Sequence, residues 1–305
     1  MDFLKKYPIP IAGLILSLFA LGNLLMSYSK DLRLIIGAVG LLLYFVYIFK
    51  LLVLNKALKE EFTNPVVASV FLTITMATML MSVYFKAFFP VVAYALWYIG
   101  VAEHALLIIW FSIKFLIKFS IKKVFPSWYI VYVGIAVASV TSPAFQQNAI
   151  GQAAFWFAFI GYLCILPFVS YRLLKVREIP QPAQPTLIIM SAPASLLLAG
   201  YLFCFSEKNP LMVYFLLTLS LLFYLIALMC LPKLLRQKFT PGYSAFTFPL
   251  VISAIAVKMT SMYFNQTNSI LNIITKIEEG IAFLIVVWVL VCYSAFLFKP
   301  NKAQK

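Results

Sequence analysis

Uninterrupted apolar stretches of about 20 residues recur along the whole chain, separated by short polar connections. A helix needs about 20 apolar residues to cross the hydrocarbon layer of a bilayer. In that medium every backbone amide must be satisfied internally, which leaves only helices and closed barrels. Barrel strands alternate polar and apolar side chains. The stretches here are continuously apolar, so helices are expected. Ten are predicted, at about 7–26, 33–54, 65–85, 91–113, 128–145, 150–172, 187–205, 210–231, 244–264 and 279–298.

Ten such helices use roughly 200 positions and leave about ten per connection, too few for a separate soluble domain. The predicted fold is an all-α polytopic membrane protein forming a single transmembrane domain over 1–305. Composition agrees: 64% of residues are hydrophobic and 11% charged, against roughly 45–50% and about 25% in soluble domains. A soluble enzyme is excluded. Lys5 and Lys6 before the first stretch give it the look of a signal peptide, but no small-residue cleavage site follows, and it reads as a retained span.

The basic residues fall unequally between the two sides of this layout. Eighteen of the 24 Lys and Arg lie with the termini and the even-to-odd connections, and six lie opposite. Basic residues stay on the cytoplasmic side, so both termini are expected there. The net charge of +15 then reflects orientation and contact with the lipid bilayer, and no nucleic acid partner is expected. The four cysteines stand singly in different stretches and His104 is the one histidine. Neither a disulfide framework nor a metal site follows. No hydrolase, zinc-protease or nucleotide-binding motif is present, so neither catalysis nor a cofactor is expected.

Prolines mark the odd stretches at or near their starts, at Pro10, Pro65, Pro126, Pro193 and Pro249. Their spacing is close to one fifth of the chain and suggests five successive helical hairpins. Ser and Thr concentrate in the odd stretches, while bulky aromatics favour the even ones. Small hydroxyls suit close helix packing or a wetted surface, and aromatics suit lipid. The odd helices are therefore expected inside, and the hydroxyls either mediate packing or line a conduit. Thr73, Ser139, Ser195 and Ser253 are the lining candidates, as small hydroxyls deep in odd spans.

A charge deep in a span is a functional candidate by default. Glu103 and His104 lie near the middle of the fourth stretch and, being adjacent, point about 100° apart. They read as a proton-handling pair or as structural groups packed on a neighbouring helix. Lys258, in the outer half of the ninth stretch, either snorkels outward or attracts anions toward a pore. Glu278 and Glu279 look like an interfacial helix start. The odd stretches hold no acid in their apolar cores, which favours anions over cations as cargo.

Three motifs carry a family resemblance. Tyr7-Pro8-Ile9-Pro10, running through Gly13 to Ala20-Leu21-Gly22-Asn23, resembles the first-helix motif of the tellurite-resistance/dicarboxylate transporter family, which includes a bacterial tellurite-resistance channel and the plant slow-type anion channels. Glu61-Phe62-Thr63-Asn64-Pro65-Val66 resembles its third-helix start, with Asn64 where histidine is frequent, and Ser244-Ala245-Phe246-Thr247-Phe248-Pro249 is similar to its ninth-helix motif. The resemblance implies ten helices as five hairpins in quasi-fivefold arrangement around a kinked central pore, assembled as a homotrimer in the plasma or bacterial inner membrane. It places Pro10, Gly13, Pro65, Pro193, Thr247 and Pro249 at kinks or on the lining, and Phe248 as the ring that plugs the pore. The expected function is an anion-selective channel for small inorganic anions. The runner-up is a secondary transporter of a dicarboxylate or oxyanion, proton-coupled through Glu103 or His104. A membrane-embedded enzyme or structural protein is the third class. No stretch here resembles the long charged tails of the plant members, so their phosphorylation-driven gating is not expected to carry over.

Overall fold

The computed structural model describes residues 1–54, 59–265 and 269–299, and helices dominate them. A short helix, α1 (Asp2–Lys6), precedes α2 (Ile11–Leu25) and α3 (Lys30–Val53). The third predicted span is broken into α4 (Pro65–Phe71) and α5 (Thr73–Phe85), followed by α6 (Pro90–Phe115). The fifth is divided further, into α7 (Trp128–Tyr132), a 3-10 turn (Gly134–Ala136), α8 (Val137–Thr141) and a second 3-10 turn (Ser142–Phe145). Then come α9 (Asn148–Tyr171), a 3-10 segment (Gln181–Ser191) leading into α10 (Ala192–Cys204), and α11 (Pro210–Leu235). The chain closes with a 3-10 segment (Pro241–Phe246) leading into α12 (Thr247–Tyr263), and with α13 (Ser269–Phe298).

Local chemistry sets the starts. Ser29, Asn64 and Asn209 each cap a helix by accepting from a backbone N–H, and Pro65, Pro90 and Pro210 occupy the first turn, where a missing N–H has no partner to lose. Among the described residues eight helical segments are long and apolar enough to cross a membrane; Ile11–Leu25 and Gly134–Phe145 are apolar but shorter. The ten predicted spans thus differ from the structure at the first and fifth. Pro8 and Pro10 hold the start of the first out of the helix, and the turn at Gly134 and the proline Pro143 interrupt the fifth. The last prediction is corrected as well. α13 begins ten residues before 279, so Glu278 and Glu279 lie inside it, buried, and not at a helix start.

The odd and even segments differ in two independent ways. The even helices α3, α6, α9, α11 and α13 run without a break, whereas four of the odd segments are broken or begin in 3-10 turns and the first, α2, is shortened by the turn at Pro8–Pro10. Burial separates them too. In their most apolar windows 72–89% of residues in the three long odd segments are buried, against 22–33% in the even helices. Irregular backbone survives at membrane depth only inside protein or along a wet cavity, so the irregular segments belong in the interior.

Contacts follow this division. Each even helix packs on the odd segment before it, pairing α2 with α3, α5 with α6, α8 with α9, α10 with α11, and α12 with α13. The odd members also pack on one another in sequence: α2 on α5, α5 on α8, α8 on α10, α10 on α12, and α12 back on α2. Lys6 donates to the carbonyls of Leu297, at 3.2 Å, and Lys299, at 2.6 Å, so the two ends of the described chain lie on one side of the bundle.

Candidate functional site

A cavity of about 690 Å³ enters the bundle from that side, between the starts of the odd segments. Its wall is assembled from all five. Pro8 to Leu16 come from the approach to α2, Asn64 to Met76 from α4 and α5, Phe125 to Gly134 from α7, Pro180 to Leu196 from α10 and its 3-10 lead, and Thr240 to Pro249 from α12 and its lead. Leu16, Met76, Val133, Leu196 and Phe248 are the residues farthest along their segments or nearly so, and they make its inner end apolar. Close approach there depends on Gly134, where a Cβ would lie 2.8 Å from the Met76 sulfur.

Proline chemistry shapes the same wall. Without an N–H, Pro193 and Pro249 cannot make the i→i−4 bond to the carbonyls of Ile189 and Ala245, and the Ile189 carbonyl accepts instead from the Ala192 N–H, in the tighter 3-10 pattern. Both carbonyl-bearing residues line the cavity. Phe248 lies in the first turn of α12, 7% exposed, with the preceding 3-10 segment and Pro249 fixing its backbone.

The electrostatic balance at the mouth is positive. Each odd segment starts there, so its helical N-terminal end, the positive end of the peptide dipoles, faces the opening. Lys122 and Lys123 line it. Glu61 is the one acid on the wall among the described residues, and it lies 3.7 Å from the buried Lys50. Behind Phe125 sits Arg172, 2% exposed, its guanidinium 5.7 Å from the ring centroid. One nitrogen donates to the Glu178 carbonyl, and Nε and Nη1 have no hydrogen-bond partner among the described residues. The Glu178 carboxylate turns outward to Lys122, at 3.1 Å. Unlike Lys50, Arg172 is a buried positive charge without a carboxylate in ion-pair contact.

Of the residues singled out from sequence, Pro10, Gly13, Pro65, Thr73, Pro193, Phe248 and Pro249 line this cavity together. Thr73 spends its hydroxyl on the Val70 carbonyl. Ser139, Ser195, Thr247 and Ser253 are absent from the wall. Ser139 donates to the Gly151 carbonyl of α9, Ser195 shares a hydrogen bond with Ser220 of α11, and Thr247 is bonded to Ser17 of α2. For these three the hydroxyl mediates packing, because a helix partner sits within 2.7 Å.

The charged candidates are also relocated. His104 is fully buried, with Nδ1 2.7 Å from the Thr75 hydroxyl and Nε2 donating to the Val131 carbonyl at 3.2 Å. Glu103 faces outward, exposed, and neither residue reaches the cavity wall. Lys258 neither snorkels freely nor faces the cavity: it pairs with Glu279 at 2.7 Å and donates to Ser27 and to the Leu24 carbonyl. Among the described residues no cluster of His, Cys, Asp and Glu is suited to hold a metal ion.

In the sequence Lys122, Lys123 and Arg172 stand among the eighteen basic residues of one side, and Leu16, Met76 and Leu196 are apolar residues of their stretches like their neighbours. Nothing in local spacing separates a lining leucine from a lipid-facing one. Over residues 7–296 the chain matches the family profile described as SLAC1, voltage-dependent anion channel. No curated protein matches it.

Proposed function

Because the chain belongs to the voltage-dependent anion channel family, and is thereby an integral multi-pass membrane protein of anion transport, we propose that it is an anion-selective channel whose pore runs between the odd segments and is closed by Phe248. The observation that carries this reading is the cavity: its mouth gathers five helix starts with Lys122 and Lys123, and Phe248 stands at its apolar inner end. Positive dipole ends and lysines raise the local concentration of anions. An aromatic ring in a narrow apolar constriction blocks hydrated ions by sterics and dewetting. Arg172 adds a fixed positive charge behind the wall.

On this reading α2 and the segment 128–145 also cross the bilayer, giving ten crossings as five hairpins in a quasi-fivefold ring. The closed sequence of contacts among the odd segments supports that arrangement. Both termini then face the cytoplasm from a plasma or bacterial inner membrane, and the protein acts as a homotrimer with one pore in each copy. Small inorganic anions are the expected cargo. The coupled transporter of a dicarboxylate or oxyanion is the competing reading. It is weakened by the placement of His104 and Glu103 away from the cavity.

The deciding experiment is reversal potential in planar bilayers under a chloride gradient, for the parent and Phe248→Ala. A large variant current reversing near the chloride potential supports the channel. Absence of current from both proteins, with intact protein in the bilayer, transfers the assignment to the coupled transporter.

A further inference from the structure

One group of buried polar atoms has no partner and takes no part in the cavity. Both carboxylate oxygens of Glu278, the hydroxyl of Ser253 and the phenol of Tyr224 lack a hydrogen bond among the described residues. Their residues are 1%, 0% and 3% exposed, on α13, α12 and α11 respectively. Ser253 and Glu278 stand on the packed pair α12 and α13, near enough for the hydroxyl to act on the carboxylate although no hydrogen bond of ordinary geometry joins them, and Tyr224 lies within electrostatic reach of that carboxylate. Most other buried hydroxyls of the odd segments are satisfied by a carbonyl one turn back or by a neighbouring helix. Tyr129 and Thr240 also lack a partner among the described residues, but both stand on the cavity wall; this cluster differs in holding a carboxylate and in lying outside the cavity.

A bare carboxylate inside a low-dielectric bundle is not a stable arrangement, because its desolvation has nothing to offset it. The nearby bases are already committed. Lys258 and Lys276 both pair with Glu279, at 2.7 and 3.8 Å. The other packed elements bring no further counter-charge. α2 has no ionisable side chain, and the 3-10 segment Pro241–Phe246 contributes Tyr243, which donates to the Gln237 carbonyl. Neutrality therefore has to come from something bound. A single carboxylate calls for a single positive charge, since a divalent ion would leave an excess charge buried. The donors are all oxygen, the kind that small hard cations select.

We propose that Glu278, Ser253 and Tyr224 form a binding site for one monovalent cation, a proton or a sodium ion, at the junction of α11, α12 and α13. Occupancy joins three helices across a point that would otherwise be open and charged. Ser253 lies five residues beyond Phe248 on α12, so the bound cation steadies the helix that carries the ring. The site is outside the anion cavity, whose wall contains none of its three residues.

Thermal unfolding of the purified protein tests this without any ion current, so a failure of the channel reading leaves the test intact. The parent and Glu278→Gln are compared in sodium chloride and choline chloride, at acid and at mildly alkaline pH. A ligand that binds only the folded state raises the midpoint. The expected result is a midpoint a few degrees higher for the parent with sodium, or on acidification in choline chloride, with Glu278→Gln flat across all four conditions. The sodium response identifies the metal ion and the acid response identifies the proton. A parent that responds to neither, or a Gln variant that responds as the parent does, overturns the proposal. If Glu278→Gln does not fold, Ser253→Ala, which keeps the carboxylate, decides: a weakened response supports the site, and an undiminished one overturns it.

Discussion

Ser17 of α2 donates a 2.5 Å hydrogen bond to the hydroxyl of Thr247, the residue immediately before Phe248. Thr247 in turn donates to the Ser244 carbonyl at 2.7 Å, where the 3-10 segment gives way to α12. The first and last odd segments are thus joined beside the aromatic ring. Thr247→Val keeps the branched shape and removes the bond, freeing the single Ser17 proton for the Gly13 carbonyl 2.7 Å away. The expected loss of stability is about 1 kcal/mol. Bilayer recordings should show a basal current above that of the parent and below that of Phe248→Ala. Currents equal to the parent's would separate this contact from gating.

Phe248→Ala is expected to raise conductance on the order of tenfold or more, equivalent to removing about 1.4 kcal/mol of barrier. The ring borders an existing cavity, so truncation enlarges open space and does not seal in a void. Its cost in stability should fall below the roughly 3–5 kcal/mol of a fully packed phenylalanine. Single-channel recording and thermal unfolding of the same preparation check both parts. A folded variant no leakier than the parent would count decisively against the gate.

Neutralising the fourth-stretch pair should leave anion flux in place. Glu103→Gln changes a residue that faces away from the bundle, and anion currents should match the parent. His104→Gln disturbs the bridge between Thr75 and the Val131 carbonyl and should lower stability by about 1–3 kcal/mol, with flux per folded protein retained. Loss of flux in both variants, or accumulation of malate against its gradient in the parent when a proton gradient is imposed, would favour a coupled transporter.

Arg172 should contribute to charge selectivity through the wall. A unit charge at roughly 10 Å with an effective dielectric near 20 is worth on the order of 1–2 kcal/mol, or about tenfold in a permeability ratio. Arg172→Gln should therefore shift the reversal potential toward reduced preference for chloride over potassium, and Arg172→Lys should retain most of the preference. A folded Gln variant with the parent's reversal potential would reduce Arg172 to a support for the Glu178 loop.

The Lys258–Glu279 pair offers a stability test. Lys258→Met leaves a buried carboxylate with the more distant Lys276 as counter-charge and the Tyr28 hydroxyl as donor, and should cost about 1–3 kcal/mol, less than a fully buried pair because Lys258 keeps partial exposure. Adding Glu279→Leu should recover most of that loss, since no charge is then stranded. Thermal unfolding of the two single variants and the double variant measures the coupling. Additive losses would show that the pair is not acting as one unit.

Much of this architecture can be read from local pattern. The prolines at Pro10, Pro65, Pro193 and Pro249 all stand on the cavity wall, because a residue that cannot complete a helix marks its irregular start wherever the chain folds. The hydroxyls were harder to read. Thr73 lines the cavity while Ser139 and Ser195 bond outer helices, although all three sit in the same kind of apolar context. Glu278 was missed for a related reason: a carboxylate near an expected helix end is ordinary, and only the earlier start of α13 at Ser269 places it deep inside.

Hydropathy alone established that the chain is helical and built for lipid, since the free energy of moving a segment out of water depends on its own composition. It also separated the hydroxyl-rich odd stretches from the aromatic-rich even ones. Odd segments inside and neighbours paired as hairpins are already expected from the pattern; which face of each helix meets which partner came from tertiary structure alone. Whether His104 meets Thr75, Lys258 meets Glu279, or Arg172 lies behind Phe125 depends on which helices pack together and at what rotation. Those contacts join residues distant in the chain, and the energy of a buried charge is set by the neighbours it finds there.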